Sequence, residues 1–79
     1  MMKLVWNLRN DVAIPLHHIR AFEIEDKTDM SETDKEKLGI KDYLVIARYQ
    51  VCTGYWECVF TSDSKSDCIH FIDTLEDYL

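Results

Sequence analysis

The fold is decided by residues 43–61, which read YLVIARYQVCTGYWECVFT. β-Branched and aromatic residues lie on both sides of Thr53-Gly54, a pattern typical of two strands joined by a tight turn. A two-residue loop predicts a register whose partners form one apolar face: Val51 with Trp56, Tyr49 with Cys58, and Ala47 with Phe60. We therefore predict an antiparallel hairpin with this face toward the core.

The segment after this hairpin predicts a helix that continues to the end of the chain. Ser64 followed by Asp67 is a capping signature ahead of an apolar run. The apolar residues recur at three- and four-residue steps and form one stripe: Cys68, Ile69, Phe71, Ile72, Leu75 and Leu79. Such a stripe requires a sheet to cover it, and the hairpin face supplies one.

Residues 3–25 predict three further strands. Two short runs of alternating apolar residues flank the turn at Arg9-Asn10-Asp11: Leu4, Trp6 and Leu8, then Val12, Ile14 and Leu16. If all six share one face, Leu8 lies opposite Val12 and Trp6 opposite Ile14, which requires a left-handed residue at Asn10 or Asp11. Pro15 indicates that the second strand lies at an edge or ends early. A bend at His17-His18 then leads into a third strand over 19–25.

Residues 26–42 change character, since aromatic residues disappear and ten charges appear. We interpret this segment as a polar insertion between the third and fourth strands. Thr33 with Glu36 forms a capping box and Gly39 is a natural helix stop, so one or two helical turns are predicted. Long polar loops on compact domains are often functional or disordered, which makes the insertion a candidate contact region.

These elements predict a single α+β domain over residues 1–79. Short connections favour adjacent antiparallel strands, so we expect one curved, five-stranded meander with the C-terminal helix packed on its concave face. A chain of this length removes only about 60% of its unfolded surface from water, and it has no material for a second core.

Composition excludes several classes of function. The net charge is −6, with fourteen acids against six bases after residue 20, so direct binding to nucleic acid is not expected. No apolar run is long enough to cross a bilayer and no secretory signal is visible, so we expect a cytoplasmic protein without membrane contact. The odd cysteine count favours reduced thiols, and Cys52, close to the turn, could be exposed and reactive.

The sequence contains no recognisable catalytic constellation. No nucleophile elbow, Gly-rich loop or His-centred signature is present, so we predict that the chain is not an enzyme and carries no cofactor. A zinc site using His17 or His18 with a cysteine is the metal alternative. Its spacing is unfavourable, because adjacent residues of an extended chain point to opposite sides.

Besides the insertion, two surfaces are candidates for a partner. The first is the sheet face away from the helix, which is predicted to carry Leu44, Ile46, Arg48, Tyr55 and Val59. Contiguous apolar patches usually mark contacts, with a protein partner or a second copy, although sheet curvature could instead bury these residues.

The second surface is acidic and lies at the end of the last helix. Asp73, Glu76 and Asp77 crowd the negative end of the helix dipole, where each is locally unfavourable. One interpretation is a surface for a basic partner, such as a nucleic-acid-binding protein. The alternative is a charged face that keeps the protein in solution.

The pattern Ile14-Pro15-Leu16, then 19–24, then a Thr-Gly hairpin and 60–64 opening the last helix resembles small uncharacterised bacterial and bacteriophage proteins. The layout is also similar to a shortened pleckstrin-homology-like sheet with a C-terminal helix. The resemblance implies a non-catalytic accessory or host-modulating factor in the cytoplasm of a bacterial cell or phage host, and some such proteins inhibit bacterial defence systems. The acidic helix end and the absence of catalytic groups lead to the first hypothesis, a protein-binding module that modulates or inhibits a host nucleic-acid-binding complex. The competing hypotheses are a self-associating homodimer and a metal or small-ligand binder.

Overall fold

The computed structural model describes residues 3–50 and 54–77, and it has the predicted α+β, antiparallel character. A short 3-10 turn at Leu16–His18 separates the first two strands from the rest. In chain order the elements are β1 Leu4–Trp6, β2 Ala13–Pro15, β3 Ile19–Asp26, α1 Glu32–Leu38, β4 Tyr43–Tyr49, β5 Trp56–Ser62 and α2 Lys65–Glu76.

The strands form two sheets, so the prediction of one five-stranded meander is wrong. β1 pairs with β2, and β3, β4 and β5 form a separate three-stranded sheet in that order. β2 ends at Pro15, which has no N–H to continue a ladder, and the 3-10 turn then redirects the chain. The N–H of Gln50 donates to the carbonyl of His18 at 2.8 Å, which fixes this turn against the region after β4. The predicted bend at His17-His18 is therefore present, but it separates two sheets.

The register of the first hairpin differs by one residue from the prediction. Trp6 lies opposite Ala13 and Val5 opposite Ile14, so Val5 is buried while Trp6 is 49% exposed. Asn10 has φ of 58°, which confirms the left-handed residue. The cause of the shift is Asn7, whose buried Oδ1 accepts the N–H groups of the turn residues Asp11 and Val12 at 3.0 and 3.2 Å. A one-residue slip exchanges the two faces of a strand.

The register of the second hairpin also differs from the prediction. Cys58 lies opposite Ile46 and Trp56 opposite Arg48, and an irregularity next to these pairs leaves Val59 unpaired. Such a β-bulge shifts the alternation of side chains by one residue. As a result Trp56 and Cys58 lie on the face away from the core, whereas Val59 is only 6% exposed within it. The predicted pair of Val51 lies outside the described residues.

α2 covers one face of the three-stranded sheet, and the core lies between them. The rings of Phe60 and Phe71 stack with centroids 4.6 Å apart. The prediction that the α2 stripe faces the sheet is confirmed for four residues, although Ile69 is 46% exposed and Leu79 lies outside the described residues. The residues of the buried core cluster are Val5, Ile14, Leu16, Val45, Ala47, Val59, Cys68 and Leu75.

The caps of the two helices follow the predicted positions in part. Gly39 ends α1 with φ of 70°, as predicted, but the N-cap is Ser31, whose Oγ accepts the N–H of Asp34 at 3.2 Å. Ser64 is the N-cap of α2, as predicted, yet its side chain makes no capping bond. Asp67 instead accepts the hydroxyl of Ser62 at 2.9 Å, and the Oγ of Ser62 accepts the N–H of Ser64 at 3.1 Å.

Candidate functional site

The face of the three-stranded sheet away from α2, here called the outer face, contains an apolar groove. Leu44 and Ile46 of β4 and Cys58 of β5 form its floor, because strand alternation turns these residues away from the core. The volume of the groove is about 540 Å³. A groove of this size was not expected from a domain this small.

The insertion forms one wall of this groove. The segment between β1 and β2 forms part of the other wall. Met30, Leu38 and Ile40 come from the insertion, and Leu8 and Trp56 line the groove as well. Leu38 is 63% exposed and Trp56 50% exposed, so large apolar side chains form lips that are open to solvent. The insertion thus lines the groove on the outer face, whereas its composition indicates only a polar loop.

A buried lysine holds the insertion in place. Lys35 of α1 is 4% exposed, and its ammonium group donates to Asp42 and lies 2.9 Å from Oε1 of Glu32. The hydrogen bonds that Lys35 donates to both carboxylates raise its pKa above the usual value. The N–H of Lys27 donates to the carbonyl of Asp42 at 2.7 Å and so closes the base of the insertion. α1 is too short to be stable alone, and these contacts position it.

Charged groups line the groove at its rim. Lys27 pairs with Glu25 at 3.0 Å, and Glu57 accepts hydrogen bonds from Nδ2 of Asn7 at 3.4 Å and the hydroxyl of Tyr55 at 3.3 Å. Arg9, also at the rim, lies 3.8 Å from Asp11. An apolar floor with a charged rim is the usual anatomy of a protein contact site.

The thiol of Cys58 is the one ionisable group on the groove floor. Burial raises its pKa, and the nearby carboxylates of Glu25 and Glu57 raise it further. The thiol is therefore protonated at neutral pH and behaves as a small apolar group, since the thiolate is the reactive form. Cys52, the cysteine predicted to be reactive, lies outside the described residues.

The predicted interface residues occupy three different places. Leu44 and Ile46 lie on the outer face as predicted, and both are buried at the groove floor. Arg48 lies on the same face, where it is paired with Glu23. The ring of Tyr55 packs edge-on against Tyr49 with centroids 4.5 Å apart. Val59 belongs to the core, because the bulge turns it to the other side.

Several groove residues were missed by the sequence analysis. The sequence predicts Trp56 and Cys58 in the core because the predicted register of the second hairpin is wrong. It predicts Leu8 in the core because the predicted face of the first hairpin is wrong. Met30, Leu38 and Ile40 are the apolar residues of an otherwise charged insertion. Three apolar residues in an otherwise charged segment indicate that the segment packs against another part of the protein.

The acidic surface is exposed as a group. Asp73, Glu76 and Asp77 are all exposed, and the last turn of α2 contains no basic residue. Glu76 and Arg20 line the same small depression beside Ile72. The acidic surface and the outer groove are on different sides of the three-stranded sheet, since α2 covers the face opposite the groove.

The structure brings no metal-binding group together within residues 3–50 and 54–77, where no cluster of three histidine, cysteine or acidic side chains occurs. His17 and His18 are exposed, and their rings contact each other edge-on at 4.3 Å. Among the described helices, none has the length and apolar character needed to traverse a bilayer. No protein-family model, curated protein or solved structure matches the chain.

Proposed function

We propose that this chain is a non-enzymatic protein-binding module that holds an apolar segment of a basic partner protein in the outer groove. The observation that carries the proposal is the open groove on the outer face, with an apolar floor and the exposed lips Leu38 and Trp56. Tryptophan in particular is enriched among the residues that dominate binding energy at protein interfaces.

The shape of the groove favours a protein segment over a small metabolite. Its volume is within the range of small-molecule sites, but such sites enclose most of the ligand and contain convergent polar groups. Here the polar groups lie at the rim, and the rim pair Glu25 and Lys27 already satisfy each other. A partner that places one or two apolar side chains between Leu38 and Trp56 would use the groove most fully.

The charge of the chain supports a basic partner. The net charge is −6, and the carboxylate of Glu57 lies at the groove rim. The exposed acids Asp73, Glu76 and Asp77 add to the negative field around the molecule. Such a field speeds encounter with a cationic protein. Proteins that bind nucleic acid carry basic surfaces, so a modulator of a host nucleic-acid-binding complex is the form of the proposal we favour.

The test is selection of random linear peptides that bind the whole chain. We expect the selected peptides to carry apolar anchors flanked by Lys or Arg, and to bind more weakly as salt is raised. Leu38→Ser and Trp56→Ser should each weaken binding by about tenfold or more. Ile69→Ser is the matched control, since Ile69 is a similarly exposed apolar residue on a helix outside the groove.

Cys58 provides an independent readout on the groove floor. In a Cys52→Ser background, a bound peptide should slow alkylation of Cys58, because Cys68 is fully buried in the core. The proposal is wrong if the selected peptides lack basic residues, if they bind Leu38→Ser and Trp56→Ser as tightly as the original chain, or if Cys58 is not protected. Failure to select any peptide would also count against it.

A further inference from the structure

The outer edge of β1 is defined by two hydrogen bonds of the first hairpin. Leu16 N–H donates to the carbonyl of Lys3 at 2.9 Å, and Asn7 N–H donates to the carbonyl of Val12 at 3.0 Å. Bonded and non-bonded residues alternate along an antiparallel ladder. Val5 therefore bonds to β2, whereas Leu4 and Trp6 turn their N–H and C=O groups away from β2.

Leu8, two residues after Trp6, shows where the outward N–H and C=O groups of Leu4 and Trp6 point. The N–H of Leu8 donates to the carbonyl of Cys58 at 3.0 Å, so this side of β1 faces β5. Within the described part of the chain, no strand pairs with β1 on this side, and no backbone or side-chain group bonds to the main chain of Leu4 or Trp6. The chain just after β1 thus contacts β5 at Leu8, while β1 itself has an open strand edge on this side.

A gap of about 330 Å³ lies beside this edge. Val59 of β5 and Phe71 and Leu75 of α2 line it together with β1. The gap is therefore apolar on its inner side and has main-chain hydrogen-bonding groups along one edge. On the outer side, the side chains of Leu4 and Trp6 are 42% and 49% exposed.

We propose that this edge accepts an extended segment of a partner protein as an additional strand between β1 and β5. Alternating N–H and C=O groups at strand spacing match an extended polypeptide backbone. The two apolar sides indicate the sequence of the segment: alternate residues are apolar toward Phe71 and Leu75, and the intervening residues are apolar or aromatic beside Leu4 and Trp6. This site adjoins the outer groove at Asn7 and Leu8, but Leu4, Trp6, Phe71 and Leu75 lie outside the groove lining, so the proposal does not depend on the outer groove.

The exposed area favours such a segment over a second copy of this chain. Half-exposed Leu4 and Trp6 together offer roughly 200 Å². A stable interface between folded proteins buries about 800 Å² on each partner. An added strand needs less area, because main-chain hydrogen bonds contribute to its affinity and the inner side of the gap contributes further apolar contact.

The experiment selects random linear peptides on the full chain with Leu38→Ser, so that the outer groove is impaired. Peptides with alternating apolar residues should be recovered, and they should bind the unmodified chain equally well. Leu4→Pro removes an outward N–H without touching the ladder to β2, and it should weaken binding by about tenfold or more. Leu4→Val, which retains that N–H, is the matched control and should keep most of the affinity.

A measurement on the unmodified chain keeps the proposal testable if Leu4→Pro fails to fold. Bound peptide should slow hydrogen exchange at the amides of Leu4 and Trp6, while the amide of Val5, already bonded to β2, changes less. The proposal is overturned if no such peptide is recovered, if Leu4→Pro binds as well as Leu4→Val, or if both outward amides keep their exchange rates. It is also overturned if the chain alone dimerises in sedimentation and Leu4→Pro abolishes the dimer, because a second copy would then occupy the edge.

Discussion

The two faces of the three-stranded sheet have helices of very different kinds beside them. On one face α2, with twelve residues, buries Cys68 and Leu75 in a dry core. On the outer face α1, with seven residues, buries only Lys35 and leaves Leu38 exposed. The first face is closed by apolar packing, whereas the second is held by ion pairs and remains open as a groove.

This difference shows how a small domain separates stability from recognition. Burial of apolar area contributes the free energy of folding, and α2 supplies it. Polar contacts such as those of Lys35 position a segment without filling the space beneath it. The face that contributes less to stability is the one with exposed apolar side chains, which is the expected character of a binding surface.

The largest expected effect is the difference in free energy of unfolding between a Leu→Ala substitution in α2 and one in α1. Leu75→Ala leaves a cavity in the core and should lower the free energy of unfolding by about 2–5 kcal/mol. Leu38→Ala removes an exposed side chain and should change it by less than about 0.5 kcal/mol. Urea denaturation of both variants measures the contrast, and equal losses would mean that the two faces are equally packed.

The next effect concerns the anchor of the insertion. Lys35→Met keeps an apolar stem of similar length but removes the ammonium group from Asp42 and Glu32. The amide hydrogen of Ile40, which donates to the carbonyl of Lys35, should then exchange more than about tenfold faster, while the amides of β4 stay protected. Hydrogen exchange followed by nuclear magnetic resonance distinguishes the two regions. Uniform loss of protection would show that the insertion and the sheet unfold as one unit.

A smaller effect is expected at the end of α1. Gly39 has φ of 70°, and a Cβ added there would meet no atom within 4 Å, so only backbone strain is introduced. Gly39→Ala should cost about 1 kcal/mol, and Gly39→Asn should cost less, because asparagine tolerates the left-handed conformation. Thermal denaturation of the pair tests this order. The reverse order would argue against a left-handed cap.

The smallest effect is the pH dependence of one ion pair on the outer face. The hydrogen bond from Arg48 lowers the pKa of Glu23 below 4.5. A lowered pKa contributes stability that is present above the unfolded pKa and is lost as pH falls through the folded pKa. Glu23→Gln should therefore be slightly less stable than the original chain near neutral pH, and the gap should close at an acid pH below the folded pKa of Glu23. Urea denaturation at both pH values measures the gap, which should not widen in acid.

The sequence predicted most of the elements but not how the faces are assigned. Local patterns predict a strand at each of the positions of β3 and β4, the C-terminal helix, and the stops at Pro15 and Gly39, although not the exact ends of the two strands. Local patterns do not predict the register of either hairpin. The register depends on the hydrogen bonds of one buried side chain in the first hairpin and on one unpaired residue in the second. Asn7 shifts the first hairpin, and the bulge at Val59 shifts the second.

The same limit applies to the candidate site. Leu44 and Ile46 were placed on the correct face, since they belong to the strand with the clearest alternation. Trp56 and Cys58 are predicted on the wrong face, because strand alternation does not reveal a bulge. Val59 was assigned to the surface for the same reason.

What the sequence by itself determined is the class of the protein: one acidic α+β chain whose strands and last helix have a common apolar side. Composition, alternation and helical periodicity are local properties, and they are sufficient for that conclusion. Only the tertiary structure decided that the strands divide into two sheets, that the charged insertion forms a groove wall, and that β1 keeps an open edge. These features depend on contacts between residues far apart in the chain, and no local pattern contains them.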